Sequence, residues 1–272
     1  MKKEDLNEKK KNYQSTFKKN KFKKNCNLKA FIYITLRIAV ILCMIRQIQL
    51  GNIMNAALCV FTLILFSITI IMEHKFNFDF PDLLEITVWL FIFSAEILGE
   101  INEFYIHFEN WDLILHTTNG FIMAGFGYSL VELLNKNENI SVTLSPIYVA
   151  IVAICFSMTI GVFWEFFEYS VDTYLHKDRQ KDTVINTIYS ITFHEEDKND
   201  VVELPINSIV VNGQDWNKLY GGYIDIGLHD TMEDLFVNFI GAVIFSVFGY
   251  LYTIGKGKYA KNFIIKRKKK TE

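Results

Sequence analysis

Several stretches of this chain stay apolar for about twenty residues, the length at which an α-helix crosses the hydrocarbon layer of a bilayer. Apolar residue types make up 51% of the 272 residues, and they arrive in runs that lack the polar face a soluble amphipathic helix needs. Little chain is left over for a separate globular domain. We therefore expect an all-α fold: a polytopic transmembrane helix bundle of about six helices over residues 28–255, between basic tails at 1–27 and 256–272. The spans are expected at 28–50, 53–72, 83–108, 111–134, 146–169 and 235–254. Gly51 and Asn52 suit a tight turn between the first two spans, and Pro81 suits a helix start ahead of the third. Gly120, Ala124, Gly125 and Gly127 suit close helix contact in the fourth, because packing holds helices together in lipid. The polar run 135–145 links the fourth span to the fifth.

Charge gives the orientation. Residues 1–29 hold eleven Lys against three acids, and residues 255–272 hold seven Lys and Arg267 against Glu272 alone. The positive-inside rule then puts both termini in the cytoplasm and makes the number of crossings even. Next to hydrophobic spans such tails report topology and attraction to anionic lipid, which argues against a nucleic-acid partner. The connection at 173–233 carries an acidic excess and is expected outside. Within it 201–204 and 206–211 read as short strands, with Asn212-Gly213 as a hairpin turn. Cys26, Cys43, Cys59 and Cys155 form no C-x-x-C pair and read as small apolar side chains.

Acids inside a membrane helix cost about 2.5–3.5 kcal/mol each at mid-span, so each demands a partner or a polar cavity. On the third span Glu96, Glu100 and Glu103 are spaced four and three, which puts them on one α-helical face. Asp112, His116 and Asn119 repeat that spacing on the fourth, and Glu165, Glu168 and Asp172 approximate it on the fifth. Asp230, Asp234 and Asn238 follow at intervals of four on the sixth. With six spans, all four faces fall at the exterior side and can line one polar pocket. Crowded carboxylates share protons or hold a cation. Carboxylates with a His nitrogen suit Mg²⁺, Mn²⁺ or Zn²⁺, and oxygen alone suits Ca²⁺. Glu100, Glu103, His116, Glu165, Glu168, Asp172, Asp230 and Asp234 are the candidate ligands, with Glu165, His116 and Asp112 as candidate catalytic groups. Arg46, near the exterior end of the first span, is a further candidate for the pocket. Arg37 lies deeper, with Glu85 as a candidate partner.

Such a pocket fits a metal-dependent hydrolase or transferase acting on a lipid-linked phosphate or ester from the outer leaflet. The alternatives are a cation- or proton-coupled transporter, or a membrane assembly or sensing protein with a polar core. The partners implied are membrane lipid and a small molecule or cation.

The same residues carry a resemblance. Glu100 and Glu103, then Trp111-Asp112, His116 and Gly120, then Trp164-Glu165, Glu168 and Asp172, and above all the run GLHDTMEDLFVNFIGA from Gly227 to Ala242 resemble the YjdF-like family of bacterial inner-membrane proteins. The resemblance covers roughly 30–255. It implies a compact polytopic fold in a bacterial inner membrane with a shared polar centre, and it implies no reaction. Between 183 and 223 the connection is longer than the family form.

Overall fold

The computed structural model describes residues 28–76, 78–135, 144–194 and 200–268. The expected tail 1–27 and most of the link 135–145 lie outside the described residues. The protein is a multi-pass membrane helix bundle with four long apolar spans: α1 (Leu28–Gln49), α2 (Ile53–Phe76, apolar over Ile53–Glu73), α6 (Pro146–Leu175) and α8 (Leu228–Thr253). Between α2 and α6 lie strand β1 (Phe78–Asp79), α3 (Asp82–Phe93), a π-helical continuation (Ser94–Ile101), α4 (Phe104–His107) and α5 (Trp111–Asn135). The chain divides into two compact units. One is Met1–Met158 with Asn238–Glu272, and the other is Thr159–Val237.

In the first unit α1 and α2 form a hairpin closed where expected. Gly51 takes the left-handed conformation (φ 76°) that ends the helix, and Asn52 donates its backbone N–H to the Gln47 carbonyl at 2.9 Å. Leu36, Val40, Cys59, Phe66, Trp89, Ile97 and Ile101 form one apolar core from α1, α2 and the third helical stretch. The Trp89 indole N–H reaches the Thr69 hydroxyl at 3.3 Å. Arg37 does not meet Glu85. Its guanidinium donates to the Ser67 hydroxyl at 2.6 Å and sits 4.6 Å from the centre of the Tyr33 ring, while Glu85 is taken by Lys29.

The third stretch departs from the single helical span expected at 83–108. After Phe93 it widens to i→i+5 bonding, and it ends where Asn102 turns both its backbone N–H and its side-chain amide onto the Ile97 carbonyl, at 3.1 and 2.7 Å. Glu103 then takes a left-handed conformation (φ 59°) outside the helix. The α-helical spacing that would align Glu96, Glu100 and Glu103 is therefore lost.

A second core of this unit joins α5 to the early part of α6 and the later part of α8 through Ala124, Tyr128, Val131, Val149, Ala153, Ala242 and Phe245. Helices α5 and α8 approach closely at two glycines. A Cβ on Gly120 would strike the Asn238 carbonyl, and one on Gly241 would strike the Thr117 carbonyl. Bare backbone at both points lets the helices meet, as small-residue interfaces do in lipid.

The segment after α8 is not a free tail up to Lys268. A short 3₁₀ turn (Ala260–Asn262) leads to strand β8 (Lys266–Arg267), which pairs antiparallel with β1, Phe78 opposite Arg267 and Asp79 opposite Lys266. Ala260, Ile264 and Ile265 are buried, and the Ile265 N–H donates to the Ser129 hydroxyl at 2.9 Å. With Lys29 against Asp82 at 3.4 Å and Lys268 against Glu73 at 3.7 Å, the start of α1, the end of α2, the start of α3 and the segment after α8 share one end of this unit.

In the second unit the later part of α6 and the early part of α8 reach further than expected, to Leu175 and back to Leu228. Among its described residues the intervening connection holds three two-stranded antiparallel pairs: β2 (Thr183–Ile185) with β7 (Tyr223–Asp225), β3 (Thr187–Ser190) with β4 (Val202–Pro205), and β5 (Val210–Val211) with β6 (Gln214–Asp215). Asn212 and Gly213 turn the last pair with φ of 50° and 80°, as an Asn-Gly hairpin requires. The expected strand at 201–204 forms as β4 and pairs with β3. After β6, Asp215 caps the short helix α7 (Trp216–Tyr220), accepting the Asn217 N–H at 3.1 Å.

The glycine contact gives a prediction. Gly241→Ala must push the Thr117 backbone away, and we expect a loss of about 1–3 kcal/mol, the usual cost of overpacking, read by thermal unfolding in mild detergent. Stability equal to the parent would mean that the approach of α5 and α8 is looser than described.

Candidate metal centre

In the second unit three acids converge. Glu165 and Glu168, three residues apart on α6, and Asp234 on α8 each offer a carboxylate oxygen, and these oxygens lie within 4.8 Å of one another. All three residues are buried, at 4%, 8% and 1% exposure, deep enough that solvent does not screen their charges. Three like charges this close cannot all ionise without compensation, so the group takes up protons, cationic neighbours or a metal ion. Oxygen donors of this kind and number suit a hard divalent cation such as Mg²⁺, Mn²⁺ or Ca²⁺.

The opposite flank of α6 is aromatic. Phe163, Trp164, Phe166, Phe167 and Tyr169 are exposed, with Trp164 and Phe167 rings 5.4 Å apart. Bands of Trp and Tyr mark the level of lipid headgroups. Along the helix, Glu165 and Glu168 sit at the same height as this band.

Asp172 and Asp230 also hold a loop in place. The two Asp172 oxygens accept the backbone N–H groups of Arg179 and Gln180 at 2.7 and 2.9 Å, and Asp230 accepts that of Lys181 at 2.9 Å. Gln180 is buried and donates its side-chain amide to the Thr231 hydroxyl at 2.5 Å. Gly227 (φ 126°) makes room for it, since a Cβ there would meet the Gln180 side chain. Residue spacing carries no sign of this backbone clamp, because its partner is a loop with no periodicity.

In the first unit α5 brings Asp112 and His116 together, the imidazole Nε2 lying 3.5 Å from a carboxylate oxygen, with both side chains largely enclosed. One turn on, Asn119 donates to the Asn238 side-chain oxygen at 3.2 Å, and Asn238 donates in turn to the Ser157 carbonyl at 3.4 Å. Their amides thus join α5, α6 and α8. Glu96 and Glu100 are half-buried on the π-helical stretch. Glu103 is exposed and faces His107 at 3.8 Å. Arg46 is exposed on α1.

Two loop acids of the second unit titrate in opposite senses. Burial, with the charges of Asp182 and Asp172 behind it, pushes the Asp178 carboxyl above the usual range. Burial also pulls on Asp215, but hydrogen bonds from Ser208, Ile209 and Asn217 and the Lys218 charge outweigh it and hold that carboxyl low. A raised Asp favours folding most below the ordinary carboxylate pKa, and that contribution is lost as pH rises through the raised value. A lowered Asp behaves in reverse, its contribution being lost as pH falls.

The family described as Predicted membrane protein (DUF2238) matches residues 28–255, nearly the stretch over which the YjdF-like resemblance runs. No curated protein and no solved structure matches the chain.

Two predictions arise here. Asp178→Asn should stabilise the fold at pH 7 relative to the parent and lose that advantage near pH 3, read by thermal unfolding across the range. Asp172→Ala should remove two charge-assisted hydrogen bonds, each worth about 1.5–3 kcal/mol, and speed hydrogen exchange at Arg179 and Gln180. Unchanged protection there would contradict the clamp.

Proposed function

The chain belongs to the DUF2238 family of predicted membrane proteins, a description that gives a place and no reaction, and from that premise we propose that it is a metal-dependent membrane hydrolase or transferase. Its substrate is a lipid or lipid-linked phosphate or ester at the outer headgroup level. The observation that carries this reading is the buried convergence of Glu165, Glu168 and Asp234 at the height of the α6 aromatic band. A transport path needs polar groups across the whole hydrophobic thickness, and a cluster grouped at the level of the α6 aromatic band supports chemistry on lipid instead.

A divalent ion held by these carboxylates would supply a Lewis acid and a water of lowered pKa. His116, enclosed beside Asp112, is the proposed nitrogen ligand, on the chemistry of mixed oxygen and nitrogen sites. Asp112 then orients the imidazole and holds its tautomer, as carboxylates behind metal-bound His do. One carboxylate of the set serves as base. The proposed topology has six crossings, with α3 and its π-helical continuation and α5 as the two less apolar spans and both termini in the cytoplasm. The shared location of the α2–α3 link and the segment after α8 supports an even number of crossings between them.

Metal analysis of the protein purified with Mn²⁺ tests the reading. We expect stoichiometric metal in the parent and an affinity loss of more than about tenfold in Glu165→Gln, Asp234→Asn and His116→Ala. Glu103→Gln, at an exposed position, should keep the metal. Parent protein without metal, or triad variants that bind as the parent does, would reject the site. Mn²⁺ entry into sealed vesicles without lipid turnover would move the assignment to transport.

A further inference from the structure

We infer that the segment after α8 is a binding surface for anionic lipid headgroups at its end of the first unit, and that the bound lipid holds β8 against β1. The chain leaves α8 through Gly255, whose left-handed conformation (φ 75°) lets the Lys256 N–H return to the Leu251 carbonyl at 2.9 Å. It then runs across the end of the unit. Ala260, Ile264 and Ile265 are buried, the Phe263 ring meets Phe121 edge to face at 5.0 Å, and the Ile265 N–H is held by the Ser129 hydroxyl. The apolar part of α2 closes at Glu73, and β1 begins at Phe78. Pairing with β1 therefore keeps β8 at the rim of the hydrocarbon, where headgroups lie.

The side chains presented by this pinned backbone are basic. Lys256, Lys258, Lys261, Lys266 and Arg267 are exposed, and among the described residues none of the five stands in an ion pair. Lys29 is committed to Asp82 and Glu85, and Lys268 to Glu73. The other acids described at this end are Asp79, opposite Lys266 in the strand pair, and Glu132 near the end of α5. With every one of these acids counted, the end keeps a positive excess. A helix C-terminus attracts cations, which accounts for Lys256 and Lys258. It does not account for the three beyond the buried Ala260. Tyr259 is 76% exposed beside Lys258 and adds an amphipathic ring of the kind that settles among headgroups. Each basic side chain held close to an anionic surface strengthens attachment about fivefold. Under the proposed topology this end meets the cytoplasmic leaflet, where anionic phosphodiester lipids create the surface potential. Charge that only sets orientation needs no fixed geometry, whereas here strand pairing and buried isoleucines set the spacing of the cations.

The test titrates the full chain in mild detergent with phosphatidylglycerol or phosphatidylcholine and reads hydrogen exchange at Ile265 and Lys266. We expect phosphatidylglycerol at ten times its Kd to slow that exchange about tenfold, and phosphatidylcholine to leave it unchanged. Lys258→Gln, Lys261→Gln and Lys266→Gln together should weaken phosphatidylglycerol binding more than about tenfold. Lys9→Gln, Lys10→Gln and Lys11→Gln together remove the same charge from the N-terminal tail and should respond as the parent does. Arg at positions 258, 261 and 266 should keep the response, which separates lost charge from lost folding. Equal weakening in the two Gln triples would mean a general attraction to the surface and would overturn the inference, as would a parent indifferent to phosphatidylglycerol. Inorganic phosphate that slows exchange as well as the lipid does would assign the surface to a free anion and overturn it too. If the Gln triple at 258, 261 and 266 fails to fold, the single variants Lys258→Gln and Lys261→Gln decide: a partial loss in each supports the inference, and a full parental response in both overturns it.

Discussion

Charge repulsion in a place of low dielectric is the constraint around which the second unit is organised. Glu165, Glu168 and Asp234 are buried with oxygens within 4.8 Å, an arrangement that costs several kcal/mol per uncompensated ion. Apolar residues of similar volume would have packed the same space without that cost. Retaining the acids makes physical sense when a positive ligand repays them. Two neighbouring acids also accept backbone N–H groups, Asp172 two of them and Asp230 one, which fixes the loop beyond the cluster.

Much of the membrane architecture was legible in residue order. Apolar runs located α1, α2, α6 and α8, and Gly51-Asn52 and Asn212-Gly213 marked turns that form as their backbone preferences require. The carboxylates of α6 and α8 were legible as well, since ordinary α-helical spacing keeps Glu165 and Glu168 on one face. The third stretch misled for an identifiable reason. Its Glu96, Glu100 and Glu103 spacing reads as one face only if the helix stays α-helical, and Asn102 closes a π-helical turn instead. No local pattern announces that widening.

Long-range pairing was the other blind spot. Lys29 sits with Glu85, leaving Arg37 to Ser67 and Tyr33, a choice made by how α1 packs rather than by charge along the chain. The strand at Val202–Pro205 joins Thr187–Ser190 across a polar stretch, where nearest-neighbour hairpin logic would have chosen otherwise. The basic segment after α8 reads as a tail because eight cations dominate it. Its apolar minority, Ala260, Phe263, Ile264 and Ile265, decides its position.

That returning segment also bears on biosynthesis. Strand β1 is made before α3, α5, α6 and α8, yet its hydrogen-bonding mate follows all of them, and the Ser129 hydroxyl likewise waits for Ile265. During translation the helices can insert one after another while this end of the first unit stays open. Completion waits until the last of these helices has been made, so a chain cut short before residue 264 would keep its spans and still display an unsealed, strand-hungry edge at this end of the unit.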